Sequence, residues 1–381
     1  MSSGQEELRP VSLGRFVAYF VRLGTFGFGG PIALAGYMQR DLVERERWLR
    51  KEDYVQGLAL AQLAPGPLAA QLAIYLGWVR ARLVGATLVA IAFIVPSFVM
   101  VLALAAAYVA YGGLSWMQGA FYGVGAAVIA IIARSVVKLT RLTLAKDPLL
   151  WAIFVGNAAV TALTESEIVW VFVASGLVVY LARIRPMLSH SFAPWAWSLT
   201  GLHEPATSAT VWKITWYFAE AGAFVFGSGL AIVPFLHGGV VEQFGWLSER
   251  QFLDAVAIAM ITPGPVVITV AFIGYLVAGP LGATAAAFGV FVPCYLFVII
   301  PAPYYNRVAG NRSIKAFVDG VSAAAAGAIG GAAIVLGRRA ISDIPTILIA
   351  VVTLAVLTYV KKLPEPLVIV AAGLVGLAIS A

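Results

Sequence analysis

Long apolar runs separated by short polar stretches fill the chain, and their placement predicts its elements. Six apolar segments lie at roughly 14–38, 53–79, 82–111, 117–137, 148–164 and 167–185, and six more near 212–236, 251–277, 280–305, 315–337, 345–360 and 364–381. A helix needs about 20 apolar residues to cross a bilayer, and fewer where the bilayer is thin. Runs such as Leu83 to Val109 are apolar on every face, whereas a membrane β-barrel needs short strands that alternate apolar and polar. The second segment of each half is cut by proline, at Pro65-Gly66-Pro67 and at Pro263-Gly264-Pro265. Proline removes a backbone donor and disfavours helix just before it, which leaves pieces of about a dozen residues, each too short to span. Such a segment reads as a hairpin that enters and leaves on one side of the membrane.

The two Pro-Gly-Pro sequences stand 198 residues apart (65 to 263), and the same offset carries Tyr19-Phe20 onto Tyr217-Phe218, Gly24 onto Gly222, Glu44 onto Glu242 and Trp48-Leu49 onto Trp246-Leu247. After Gly77 the offset is 197 (85 to 282); it carries Gly85-Ala86-Thr87 onto Gly282-Ala283-Thr284, Pro96 onto Pro293, Pro148 onto Pro345 and Gly176 onto Gly373. The chain is a duplicated half, with 1–185 and 211–381 as the two copies and the proline-bearing stretch 186–210 as their linker. Lysine and arginine favour cytoplasmic loops. In the first copy they follow the hairpin (Arg80, Arg82), the fourth segment (Lys138, Arg141, Lys146) and the sixth (Arg183, Arg185). In the second they follow the third segment (Arg307, Arg312, Lys315) and the fifth (Lys361, Lys362), so the copies are expected to be inverted. Arg338 and Arg339 fall on the outer side, against this rule. The expected fold is an all-α polytopic membrane protein of two inverted-topology repeats, each of about five transmembrane helices plus a re-entrant Pro-Gly-Pro hairpin.

Composition narrows the function. With 61% hydrophobic and 11% charged residues, no stretch reads as a polar folded domain. The net charge of +7 sits mostly at segment ends, where topology explains it, so nucleic acid is not an expected partner. Residues 1–15 show no cleavage site, and the first segment is expected to stay. A single cysteine, Cys294, excludes an intramolecular disulfide, and three scattered histidines leave no metal-ligand spacing. No cofactor is called for. Neither paired acids nor an activated serine lies within a segment, which disfavours an enzyme.

The breaks are where chemistry is expected. A helix that restarts after Pro67 or Pro265 offers unbonded N–H groups and about half a positive charge, which attract anions. Inverted hairpins would bring both starts toward the bilayer midplane. Gln62 and Gln71 flank Pro65, Gly66 and Pro67, while Thr262 and Thr269 flank Pro263, Gly264 and Pro265; each side chain can hydrogen-bond an oxygen-rich ligand. The alternative is that the prolines only kink two core helices, with polar neighbours satisfying the freed carbonyls. Glycines at 24, 27, 29 and 30 permit close backbone approach to a ligand, with Gly29 and Gly30 the candidates for contact, or serve tight helix packing. Charges inside apolar segments cost about 2.5–3.5 kcal/mol at a helix centre. Arg22 aligns with Glu220, an opposite-charge couple read either as site residues or as a static ion pair. Arg22 and Arg134 are candidates to neutralise an anion, and Glu220, Asp254 and Asp319 to take up a proton; otherwise Arg134, Asp254 and Asp319 snorkel to an interface. His237 is expected to be solvated in a glycine-rich loop.

Phe-Gly-Gly-Pro at 28–31, Ala-Pro-Gly-Pro at 64–67 with Gln62 and Gln71, the charged Glu44 to Trp48 stretch and Thr-Pro-Gly-Pro at 262–265 together resemble the chromate ion transporter family. The resemblance spans both halves. It implies a multi-pass carrier of the bacterial inner membrane, two homologous halves of opposite orientation, that exports chromate under the proton gradient. The implied partners are chromate or a similar oxyanion and membrane lipid, with a homodimer as a candidate assembly. Ser228-Gly229 replaces Gly30-Pro31 in the second copy, a departure in that motif. The residues alone give an anion site with proton coupling as a candidate. Transport of sulfate or a related oxyanion, and an uncoupled anion channel, stay open.

Overall fold

The computed structural model describes residues 8–28, 30–111, 115–144, 147–164, 169–184, 208–224, 226–227, 232–305, 311–341, 343–360 and 363–380. Helix α1 (Leu13–Phe26) starts at Ser12, whose hydroxyl accepts from the Arg15 N–H, and α2 (Gly30–Met38) widens into a π-helical turn at Gln39–Arg45. Helix α3 (Lys51–Leu63) opens with Glu52 and Asp53, acids that suit a helix N-terminus. After the two-residue strand β1 (Gly66–Pro67) comes α4 (Leu68–Tyr111), then α5 (Ser115–Thr143), α6 (Pro148–Thr164) and α7 (Val169–Arg183).

The helices recur in the same order, with the short strand placed differently. The second copy runs α8 (Ser208–Phe224), β2 (Phe226–Gly227), α9 (Ile232–His237) with a π-helical turn at Gly238–Gln243, α10 (Glu249–Ile261) and α11 (Thr269–Ile299). It closes with α12 (Arg312–Ala340), α13 (Ile344–Tyr359) and α14 (Glu365–Ser380).

Helix α4 is not one rod. Ala81 and Arg82 leave helical geometry, and a Cβ on Gly77 would strike the carbonyl of Gly85. Eight residues of straight helix would hold those glycines about 12 Å apart, so the chain reverses at Ala81–Arg82. Helix α11 does the same at Ala278–Gly279, with Gly274 against Gly282. The change of register between copies therefore falls before Gly77, because Gly77 already matches Gly274. In that interval the second copy inserts a 3₁₀ turn, Val266–Ile268, and a 3₁₀ turn rises further per residue than an α-helix. It covers the distance with one residue fewer.

Helix α1 packs on α4, α8 on α11, and α4 on α11. Beyond them the copies exchange helices: α12 packs on α6 and α7 of the first copy, while α5 packs on α13 and α14 of the second. Glycines allow the contact, since a Cβ at Gly320, Gly327 or Gly331 of α12 would strike carbonyls of Ser175, Phe154 or Ala158. Among the described residues four stretches are long and apolar enough to cross a membrane, Leu68–Tyr111, Gln118–Arg141, Val266–Tyr304 and Arg312–Ala340, and four shorter apolar helices accompany them. The protein is an all-α, multi-pass membrane protein.

Candidate functional site

The interrupted segments of the two copies meet crosswise. Gly66–Pro67 pairs in parallel with Phe226–Gly227 of the other copy's first segment. In the reverse sense, the Gly264 N–H donates to the Gly27 carbonyl at 2.9 Å. Both glycines need positive φ, 134° at Gly66 and 99° at Gly264, which side-chain-bearing residues avoid. Each is flanked by the residue after the matched proline of the opposite copy. Ser97 stands against Gly264 and donates its hydroxyl to the Gly24 carbonyl at 3.1 Å; Cys294 lies 3.3 Å from where a Cβ on Gly66 would stand. Neither was expected at the breaks, although Pro96-Ser97 and Pro293-Cys294 keep the repeat register.

Helix α4 restarts at Leu68 with its first turn buried, so the N–H groups that lack an intrahelical partner point into the junction rather than into solvent. Gln71, in that turn, is fully buried and donates from Nε2 to the Pro65 carbonyl at 2.5 Å. Gln62 is exposed. At the second break the side chains are satisfied locally: Thr262 donates to the Ile258 carbonyl at 2.6 Å and Thr269 to the Val266 carbonyl at 2.8 Å. Gly30, with φ of 75°, opens α2. Gly24 and Gly222 serve packing, since a Cβ on either would strike the carbonyl of Phe93 or Val290. Gly29, Ser228 and Gly229 lie outside the described residues.

The charged candidates lie on separate helices. Arg22 and Glu220 make no ion pair, because the repeat register matches positions without bringing them together; Arg22 is exposed on α1 and Glu220 half-buried on α8. Arg134 pairs with Glu365 at 3.4 Å, tying α5 to α14. Asp319 joins Arg183 at 2.5 Å and Lys315 at 3.2 Å, and Arg183 also holds Asp147 at 2.6 Å, which binds the start of α12 to the start of α6 and the end of α7. The hydrogen bond from Arg183 lowers the Asp147 carboxyl below its ordinary range. His237 is not solvated: it is 2% exposed, lies edge-on to Phe252, and its Nε2 sits 2.9 Å from Glu249. His237, Glu242 and Glu249 gather their ligand atoms within 4.8 Å of one another, yet Arg339 bonds both carboxylates and already supplies the positive charge there.

A second pseudo-symmetric pair differs in state. Asp254 of α10 is 4% exposed and accepts from the Tyr108 hydroxyl at 2.7 Å, with the Tyr108 ring edge-on to Phe272. The matching positions are Gln56, Tyr305 and Tyr75. There the Tyr75 hydroxyl bonds Gln56 at 3.2 Å instead, and a cavity of about 370 Å³ lies between Gln56, Tyr75, Trp78 and Tyr305. Both places carry a tyrosine hydrogen bond, and the cavity lies beside the Gln56 one.

A family model described as chromate transporter matches twice, over residues 14–180 and 212–377. The chain is 59% identical over 374 residues to a chromate transport protein of Cupriavidus metallidurans, covering 96% of this chain and 93% of that protein. It is 54% identical to a probable chromate transport protein of Synechococcus elongatus, covering 96% and 95% of the two chains. It is 32% identical to a chromate transport protein of Pseudomonas aeruginosa, covering 96% and 92%. No solved structure matches this chain.

Proposed function

We propose, from the premise that this chain belongs to the chromate transporter family, that it is a secondary carrier which moves chromate out of the cytoplasm of a bacterial cell, across the inner membrane, coupled to the proton gradient. Relatives of this kind are transport proteins rather than enzymes, so the chemistry to explain is binding and access.

The observation that carries the reading is the crossed junction of breaks, where the buried start of α4 meets β2. Chromate's oxygens would accept from N–H groups in the first turn of α4 beyond Leu68, with Gly66, Pro65 and Gln71 shaping the site. The restart after Pro265, with Thr262, Pro263, Gly264 and Thr269, forms its mirror. Arg22, on α1 about 7 Å along the axis from Gly27, adds positive charge toward that second break. Two inverted halves, 1–185 and 211–381, each with a re-entrant Pro-Gly-Pro hairpin, are supported by the exchange of α5 and α12 and by the alternating positions of lysine and arginine. By the same charge rule the cavity at Gln56 and Tyr305 faces the cytoplasm and admits substrate, and the Tyr108–Asp254 bond closes the far side. Asp254 is the acid best placed for the proton, with Glu220, half-buried on α8, second; Asp319 is engaged by Arg183 and Lys315.

Chromate uptake into inverted membrane vesicles, with and without an imposed pH difference, tests this. Uptake that rises with an acidic lumen and collapses with a protonophore is expected. Flux indifferent to both beyond the effect of voltage would mean an uncoupled channel, and equal uptake of sulfate would move the substrate to oxyanions at large.

A further inference from the structure

The Gln71 amide is held in one orientation. Its Nε2 donates to the Pro65 carbonyl, and turning the amide over would press Oε1 against the same carbonyl oxygen, acceptor against acceptor. Oε1 then has no hydrogen-bond partner, the one buried side-chain polar atom of which this is true among the described residues. A buried acceptor without a donor is destabilising until something supplies one. The orphan belongs to the first break itself. The amide's Nε2 and Cδ lie 2.5 and 2.9 Å from the point a Cβ on Gly66 would occupy, and the Cys294 thiol lies 3.3 Å from that point. Cys294 of α11 is the ionisable side chain that shares this spot, while Tyr75, one turn along α4, is bonded to Gln56, and Asp254 of α10 to Tyr108.

The junction therefore offers two kinds of group at once: N–H donors at the start of α4 and, beside them, a lone acceptor. A fully ionised tetrahedral oxyanion brings acceptors only, and would leave Oε1 facing another lone pair. A singly protonated oxyanion brings oxygens for the N–H groups and one hydroxyl for Oε1. Chromate takes up its first proton near neutral pH, whereas sulfate and selenate do so only in strong acid; hydrogen phosphate carries a hydroxyl across the neutral range. We propose that Gln71 makes the first break a site for hydroxyl-bearing oxyanions, and that this hydrogen bond separates chromate from sulfate where shape and charge do not. The inference rests on chromate carriage and names the form carried.

The test is competition against chromate uptake in proteoliposomes at one neutral pH. Wild-type protein should prefer chromate over selenate by at least about tenfold, because a site built around a hydrogen bond rejects a ligand that cannot complete it. Gln71→Met removes donor and acceptor at similar volume, and the chromate-to-selenate preference, read as a ratio at whatever total rate the variant retains, should shrink severalfold. Selenate competing as well as chromate in the wild type would overturn the inference whether or not the variant folds. So would a Gln71→Met protein that keeps the full preference, which would assign the orphan to a bound water. Should the wild type carry no chromate, the proposed function fails by itself. Ligand-induced thermal shifts of the purified protein then decide the inference: stabilisation by phosphate over selenate supports it, and equal shifts overturn it.

Discussion

The two helix breaks share a backbone and differ in side chains. Both end a helix of thirteen residues in extended backbone, turn on a glycine of positive φ, and lean on the first segment of the opposite copy. At the second break every polar neighbour is satisfied within its own turn, and Ser97 closes the space. At the first, a glutamine keeps an unmet acceptor and a thiol replaces the hydroxyl. Duplication has preserved what proline and glycine dictate, and the functional differences lie in the residues the backbone leaves free. The second break is the more structural of the pair, the first the more chemical.

The strongest way to break this comparison is an alanine at each glycine. Gly264→Ala would force positive φ on a side chain and drive its Cβ onto Ser97 and the Gly24 carbonyl. A loss of roughly 2–6 kcal/mol is expected, visible as a collapse in thermal stability. Gly66→Ala meets only side chains, including an amide that can swing away, so about 1–3 kcal/mol is expected, with transport lost before stability. Equal melting temperatures for the two variants would erase the distinction.

Next in size is the contrast between Asp254 and its counterpart Gln56. Asp254→Asn should remove the stimulation of uptake by a pH difference, expected at about 5–150-fold, the usual coupling between two linked sites. Gln56→Leu, at the matching position, should lower the rate without changing the ratio measured with and without the gradient. A gradient response surviving in Asp254→Asn would hand the proton to Glu220.

The exchanged helices differ too. Asp319 of α12 is matched in register by Tyr122 of α5, and where Asp319 holds Arg183, Tyr122 bonds Asp343 at 2.5 Å. Arg183 holds the folded Asp147 below its ordinary pKa, so that contribution is complete above the ordinary carboxylate range and is lost as pH falls through the lowered value. Thermal melts of the wild type should drop on acidification below about pH 4, and those of Arg183→Gln should drop less. The difference should stay under about 1 kcal/mol, because the groups are a third exposed.

The smallest effect is expected at the reversals. Arg82 holds a φ of 51° where its counterpart is Gly279. Arg82→Gly relieves about 1–2 kcal/mol of backbone strain but gives up flexible-chain entropy and the stacking of Arg82 over Trp78, each about 0.5–1 kcal/mol. The melting temperature should barely move.

Much of this was legible in the sequence. Proline's missing N–H located both breaks, the fixed register exposed the two copies, and the charged cluster at Arg80 and Arg82 marked the reversal of α4. Periodicity reports that a face is buried without saying against what, so the exchange of α5 and α12 was out of reach. Register likewise matched Arg22 to Glu220 without implying contact. His237 followed glycine-rich neighbours into an expected loop, when burial against Phe252 and bonding to Glu249 decide its place. Ser97 and Cys294 were readable, as the residues after two matched prolines, and lacked only a reason to look there.

The exchange of helices has a consequence for how the molecule is made. As the polypeptide leaves the ribosome, α6 and α7 enter the bilayer more than a hundred residues ahead of α12, the helix they clasp, and α5 waits longer still for α13 and α14. The amino-terminal copy cannot complete its packing alone, and assembly finishes only when the carboxyl-terminal helices slot between those already in place.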